Sequence, residues 1–410
     1  TNRTTVGFHM EWISILPPIV AIVLVIWRKE VILALFVAIF FSEWLLGQST
    51  LIGIGSAWLY AIERIAEVFS DIDNTRLLMF SLMVGALLAF IRKSGGVAAL
   101  VKFLIDWGIA KNERRSALLA SFVGCAIFVE SNLSILTSGI LSRGLFDKFG
   151  MSRARLAYII DSTAAPISIL ILLNGWGAYV MALLSNYEFD VSFVEVLWGS
   201  VPYNFYAIFT LLLVFYTAYT GKIHGPLKHS ENKHIESSSD LEVEPTQSRY
   251  MLVPLGVLIF GMIGFMFITG NGDLTAGSGS KSVLYATASA CLIAYLMMLV
   301  QGGFTHIQLV KIGFDGMGEL LPLVAILLLS IALGASLLEL GTGQYVAGIV
   351  GEHLPPIMIA PVLFIVGALI SFSTGTSWGT FAILIPLGVP LISTLNLPPG
   401  FILSAILGGG

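Results

Sequence analysis

The stretch FVESNLSIL, residues 128–136, sets Glu130, Ser131 and Asn132 side by side between two apolar runs. SALLASFVGCAIFV precedes the trio and LSILTSGIL follows it. Basic residues bound the whole segment, Arg114-Arg115 before it and Arg143 after it. With both ends on one side of a membrane, 116–142 reads as a re-entrant hairpin of two half-helices with the polar trio at its tip. Arms of about 10 to 14 residues reach roughly half to two-thirds of the hydrocarbon thickness at about 1.5 Å per residue. Non-helical backbone at that depth is tolerated only where protein buries it or water reaches it. An acidic residue there is costly and is a functional-site candidate by default.

Working outward, the composition agrees with a membrane setting. Of 410 residues, 56% are hydrophobic and 11% are charged, against about a quarter charged in a soluble domain. Too few charges remain to cover a water-facing surface. The 42 glycines fit membrane helices, where Gly is more frequent than in soluble ones. The chain reads as an all-α polytopic membrane protein. Cys125 and Cys291 each lie inside an apolar run and read as small packing residues. Residues 1–10 (TNRTTVGFHM) are polar and read as a tail, not a signal peptide.

A span needs about 20 mostly apolar residues. Candidates fall at 12–27, 31–47, 77–92, 196–219, 250–269, 283–300 and 320–337. Apolar but broken segments lie at 95–110, 116–142, 155–185, 344–350, 357–392 and 401–410. Segments 52–70 and 304–318 mix apolar and charged residues and read as helices along the membrane surface. Basic loops at Arg28-Lys29, Arg92-Lys93, Lys111 to Arg115 and 143–155 are expected to face the cytoplasm. The charged, Ser-rich loop 221–249 joins them as a linker between two halves. Glu188, Asp190, Glu195 and Asp273 fall on the opposite side.

An internal echo connects the halves. SLMVG at 81–85 and SIALG at 330–334 share Ser-x-x-x-Gly followed by Ala, 249 residues apart. The same offset pairs 31–47 with 283–300 and the break at 130–132 with 372–380. Paired spans run in opposite senses, so the copies are expected to be inverted: 11–220 as the first repeat and 250–410 as the second. Inverted repeats with discontinuous helices are the pattern of secondary transporters, whose sites sit near the midplane.

Two further breaks carry candidate ligands. RLAYIIDSTAAPISILILLNGWGAYVMALL (155–184) is too long for a simple span and holds Asp161-Ser162-Thr163, Pro166 and Asn174-Gly175-Trp176-Gly177. Pro166 lacks an N–H and is expected to loosen the carbonyls a turn earlier. A carboxylate, two hydroxyls and those carbonyls are hard oxygen ligands for a small cation. The alternative is a kinked helix whose Ser and Thr bond back to their own backbone. The tip of 357–392 offers Thr374, Thr376, Ser377 and Thr380 among glycines, without charge. Its alternative is small residues for helix packing. Glu43, Glu63, Glu67, Asp106 and Glu319 sit near expected ends or on surface helices and read as solvated, while Glu339 beside Gly341 is a weaker candidate. No HExxH, G-x-S-x-G or Ser–His pairing occurs within the spans, so an intramembrane enzyme is not expected.

At these residues the chain resembles the NhaC-type Na⁺/H⁺ antiporter family, within a wider superfamily of inverted-repeat ion carriers. The resemblance rests on ISILPPIVAIVLVIWRKEVILALFVAI (13–39), MSRARLAYIIDSTAAPIS (151–168) and FSTGTSWGTFAILIPLGVPL (372–391). It implies cation-coupled secondary transport by alternating access, with Na⁺ as the transported or coupling ion at Glu130 and Asp161. Ser131, Asn132, Ser162, Thr163, Thr374, Thr376, Ser377 and Thr380 are the neighbouring site residues it implies. Family members commonly carry an acidic pair followed by Tyr-Ala-Asn where this chain has Glu130-Ser131-Asn132. A small organic anion or amino acid is therefore the alternative cargo. By the 249 offset Gly410 stands opposite Asp161, where family members continue into another polar break; either the sequence extends further or the site is altered. Expected partners are lipid and small cations, with a homodimer allowed, no organic cofactor and no nucleic acid. The expected location is a bacterial inner membrane.

Overall fold

The computed structural model describes residues 11–410 except 48–52, 97, 101–102, 104–110, 129–130, 173, 185–186, 188, 190–192, 231–245 and 274–276. Glu130, the tail 1–10, most of segment 95–110 and most of the charged linker therefore lie outside the described residues. All regular structure among the described residues is helical.

A 3₁₀ turn, Glu11–Ile15, leads into α1 (Leu16–Arg28), α2 (Val31–Leu46), α3 (Gly53–Glu67) and α4 (Ile72–Lys93). Next come α5 (Glu113–Ala126), α6 (Ser131–Lys148), α7 (Arg153–Leu170), α8 (Gly175–Leu184), α9 (Phe193–Ser200) and α10 (Phe205–Thr220). After the short α11 (Leu227–Ser230) follow α12 (Arg249–Thr269), α13 (Gly279–Gln301) and α14 (His306–Leu340). The chain closes with α15 (Thr342–His353), α16 (Pro356–Thr374), α17 (Ser377–Leu395) and α18 (Pro399–Gly409).

Local chemistry sets many of these boundaries. Side chains of Glu30, Asn112 and Ser152 accept backbone N–H bonds at the starts of α2, α5 and α7, which satisfies donors the helix itself leaves orphaned. Gly341 and Gly375, at φ 74° and 68°, end α14 and α16 in the left-handed conformation that glycine adopts without a Cβ penalty.

Six helices among the described residues are long and apolar enough to cross a membrane: α4, α12, α13, α14, α16 and α17. Outward faces carry Phe209, Phe260 (75% exposed) and Val300 (85% exposed). Exposed apolar bulk on this scale is unfavourable in water and matches hydrocarbon. The chain is an integral, multi-pass membrane protein.

Several expectations change in detail. Segment 304–318 is no separate surface helix, because α14 runs unbroken through it to Leu340, with Pro322 inside. Its 35 residues measure about 52 Å at 1.5 Å per residue, well beyond about 30 Å of hydrocarbon. Segment 196–219 is not one straight span. Pro202 lies in a 3₁₀ turn and Asn204 (ψ 68°) interrupts the helix before α10 begins. The second arm of the 116–142 hairpin continues past Arg143 to Lys148. Residues 344–350 lie inside the continuous α15.

Two compact units emerge. The first comprises Thr1–Leu78, Tyr179–Asn204 and Leu321–Gly410; the second comprises Met79–Ala178 and Phe205–Leu320. Each draws on both sides of the 221–249 linker. In the first unit, α17 is buried along Gly379–Ile385 and again at Val389–Ile392. Gly409 of α18 lies so close to α16 that a methyl there would overlap the Phe364 carbonyl. In the second unit, α4 and α14 cross at Gly85 and Gly316, where a methyl on either would overlap the other's carbonyl. Small residues let membrane helices approach this closely. Gly85 is the glycine of the SLMVG motif, and its visible role is this crossing. Arg92 pairs with Glu319 on the same two helices, its Nη2 at 2.8 and 2.6 Å from the carboxylate oxygens. Cys291 is buried and its thiol reaches the Met83 carbonyl at 3.2 Å, in keeping with a packing role.

Candidate functional site

In the second unit α5 and α6 fold back on one another, and Ser134 Oγ donates to the Gly124 carbonyl across the hairpin at 2.7 Å. Helix α5 ends at Ala126 and α6 begins at Ser131, so the break falls where the polar trio predicts it. Ser131 opens α6 and is half-buried.

The hairpin tip is fastened to a second break. Helix α7 ends at Leu170 and α8 starts at Gly175. Between them Asn174, 3% exposed, shares the two N–H groups of its Nδ2 among three carbonyls: Phe128 at 3.0 Å, Ser168 at 2.6 Å and Ile171 at 2.8 Å. Its Oδ1 accepts from the N–H groups of Trp176 (3.0 Å) and Gly177 (3.1 Å), capping α8. Ser168 Oγ also reaches the Phe128 carbonyl at 3.1 Å. Asn174 thus serves carbonyls at the end of α7 and N–H groups at the start of α8. Replacing Asn174 with Ala is expected to destabilise the protein by roughly 2–4 kcal/mol, from a lost cap and several stranded carbonyls. Asn174→Asp keeps the acceptor and should retain the α8 cap while losing the donor side. Thermal unfolding in detergent reads both.

Pro166 does not break α7, which continues four residues beyond it. A proline inside a membrane helix removes one ladder bond, here the one to the Ser162 carbonyl, and neighbouring helices support the rest. The loosened carbonyl therefore lies directly beside Asp161, as the sequence implies, while the actual interruption is set by Asn174.

The Asp161-Ser162-Thr163 trio divides. Thr163 is buried, its hydroxyl bonds back to the carbonyls of Ile159 (2.7 Å) and Ile160 (3.1 Å), and it faces Gly124 so closely that a methyl there would overlap it. That is the packing alternative. Asp161 turns the other way. It is exposed, about eight residues into α7, on a face formed by Ala154, Ala157, Asp161 and Ala165, with Ser162 half-exposed beside it. Neither Asp161 nor the Ser162 hydroxyl has a hydrogen-bond or ion-pair partner among the described residues. Lipid-facing helices here present Phe, Leu and Ile, whereas this face presents alanines around a carboxylate.

In the first unit, the second tip is a sharp turn at Gly375 between α16 and α17. Thr374 Oγ1 donates to Ile370 at 2.9 Å and Thr380 Oγ1 to the Thr376 carbonyl at 3.1 Å, both bonds to the local backbone. Thr376 precedes α17 without capping it through its side chain. The first N–H groups of α17 lack that partner, and the Thr376 and Ser377 hydroxyls have no partner among the described residues. Next to this tip Trp378 packs against the buried Tyr179, ring centroids 4.5 Å apart and planes tilted by 42°, and the Tyr179 hydroxyl donates to the Trp378 carbonyl at 2.8 Å.

Sequence reading passed over one polar centre in this unit. Glu43, expected to be solvated, is 3% exposed. Its Oε1 receives Arg64 Nε at 2.7 Å and Ser336 Oγ at 2.9 Å, with Ser42 Oγ 2.7 Å from Ser336. Arg64 also reaches Glu339 at 2.5 Å and Glu67 at 3.4 Å. The group ties α2, α3 and α14 together, and makes α3 a docked helix. A signal was available: Ala34, Ala38 and Ser42 form a small-residue stripe on α2, and Glu43 lies on that contact face.

Over 440 aligned residues the chain is 30% identical to an uncharacterised protein of Haemophilus influenzae, covering 98% of this chain and 82% of that one. Its fold is similar to the Alcanivorax borkumensis YdaH transporter, at TM-score 0.57 and 12% identity, over 86% of this chain and 77% of that one. It is also similar to Neisseria gonorrhoeae MtrF, at TM-score 0.54 and 14% identity, over 86% and 74% respectively. Residues 169–410, which include α8 and the whole second tip, match the Na⁺/H⁺ antiporter family. This chain belongs to the Na⁺/H⁺ antiporter family.

Proposed function

We propose that the protein is a sodium–proton antiporter of the NhaC type, built as inverted repeats and working by alternating access in a bacterial inner membrane. Asp161 is the observation that carries this reading: a carboxylate without a partner among the described residues, midway along an apolar helix, on an exposed face of small residues. Glu130 supplies the second carboxylate in this proposal. The Asp161 carboxylate, the Ser162 hydroxyl and the Ser162 carbonyl next to Pro166 form an all-oxygen donor set suited to a hard cation. Na⁺ is cargo here. A carboxylate holds either a proton or a sodium ion, so competition for one group couples two opposed fluxes. Ser131 and Asn132 at the first tip, and Thr374, Thr376, Ser377 and Thr380 at the second, are the proposed neighbours along the route, with Thr163 supporting from behind.

Proteoliposome flux tests this. An imposed sodium gradient is expected to drive a pH change inside the vesicles with no organic solute present.

A second reading draws on the other tip. Thr376 gives α17 no side-chain cap, and a helix N-terminus favours a carboxylate or other anion. MtrF is described as illuminating a class of antimetabolite efflux pumps, which supports an organic cargo as the competing arm. Sodium uptake that requires an added organic solute, with no sodium-driven pH change in its absence, would replace the antiport reading by this one.

A further inference from the structure

Away from both polar breaks, the second unit holds a cavity of about 310 Å³ where α7, α10 and the segment after α10 meet. This lies at the lower end of small-ligand pockets, about 300–1,000 Å³. Arg155, Lys222 and His224 line it together with Tyr158, Leu213 and Thr217, and no carboxylate lines it among the described residues. Arg155 is 5% exposed and sits in the first turn of α7, which Ser152 caps. Lys222 and His224 are exposed on the chain that leaves α10.

The level of this cavity in the membrane can be read from α10. Its exposed bulky residues begin with Phe205 and Tyr206, run through Phe209, Leu212 and Leu213, and end in Tyr216 and Tyr219. Arg114 stacks over the Tyr219 ring, 3.3 Å from its centroid. Glycine at 221, with φ 71°, then turns the chain into Lys222. Hydrocarbon-facing bulk, then tyrosines, then basic residues is the order found across a membrane–water interface. Leu213, a wall of the cavity, is itself on that lipid-facing run at 52% exposure.

We infer that this cavity seats an anionic phospholipid of the adjacent leaflet. Its phosphodiester lies among Arg155, Lys222 and His224, and the first part of an acyl chain lies along Leu213 and Thr217. Basic pockets between membrane helices suit such head groups. A free phosphate could use the three basic groups, but it would gain nothing from the apolar wall that opens onto the lipid-facing side of α10. The inference needs only the membrane-spanning fold, so it stands or falls separately from the sodium–proton reading.

The test uses the purified full-length chain in neutral detergent, titrated with phosphatidylglycerol, phosphatidylcholine or inorganic phosphate and followed by thermal unfolding. Native mass spectrometry counts retained lipid. Phosphatidylglycerol is expected to raise the melting temperature and to be retained, while the other two have little effect. Lys222→Glu with His224→Glu should weaken phosphatidylglycerol binding by about fivefold or more per position, and Lys222→Arg should preserve it. Both positions are exposed, and Lys222→Gln serves if charge reversal lowers the lipid-free melting temperature. Equal responses to phosphatidylcholine, a response to phosphate alone that matches phosphatidylglycerol, or unchanged binding in the folded Glu or Gln variants would each overturn it.

Discussion

Replacing Asp161 with asparagine is expected to cut sodium-driven proton movement on the order of a hundredfold, equivalent to about 2.7 kcal/mol. The same change should leave folding stability within about 0.5 kcal/mol, as for exposed positions without special contacts. The reasoning is geometric. Asp161 is exposed and has no protein partner among the described residues, so its amide analogue strands no donor and opens no void. What disappears is the negative charge that, in the proposed antiport mechanism, holds a sodium ion or a proton. Asp161→Glu keeps the charge, moves it by one methylene, and should retain measurable flux. The pairing of lost transport with kept stability separates a ligand from a structural residue. Full exchange by Asp161→Asn in sealed vesicles would remove Asp161 from the cation path.

The largest expected effect on stability lies at Arg64. Converting it to Met leaves Glu43 buried at 3% exposure without its cation. Removing one partner of a buried pair costs roughly 3–5 kcal/mol, because an uncompensated charge remains out of water. The strain is local to α2, α3 and α14, so α3 is the element expected to loosen first. Adding Glu43→Gln to Arg64→Met removes the stranded charge, retains an acceptor for Ser336, and should recover most of the loss. Unfolding curves of the single and double variants in detergent measure this. Equal destabilisation in both would show that the charge of Glu43 is not the cause.

Much of the helical plan was legible from hydropathy and local chemistry. The first hairpin breaks between Ala126 and Ser131, next to the polar residues that mark it in the sequence. The second turns at Gly375, where a left-handed residue is needed and glycine supplies it. Harder to read were features that depend on contacts distant in sequence. Glu43 looks like a span-end acid until Arg64 and Ser336 are known to meet it. Charges in 304–318 suggested a surface helix, whereas the backbone continues through Pro322 at the loss of one ladder bond. Likewise Pro166 and Asn174-Gly175-Trp176-Gly177 both stood out within 155–184. The interruption belongs to Asn174, whose role needs Phe128, a carbonyl 46 residues away. Within the Asp161-Ser162-Thr163 trio, composition alone could not say which side chains turn inward; Gly124 opposite Thr163 decides it.

The junction around Asn174 has a mechanical corollary. One side chain joins the turn at Phe128 to both ends of a severed helix through five short polar links. Bending there by small degrees would misalign all of them together, so deformation is resisted until the whole set releases. Such a joint behaves as a latch with closed and open positions, unlike a spring that yields in proportion to load.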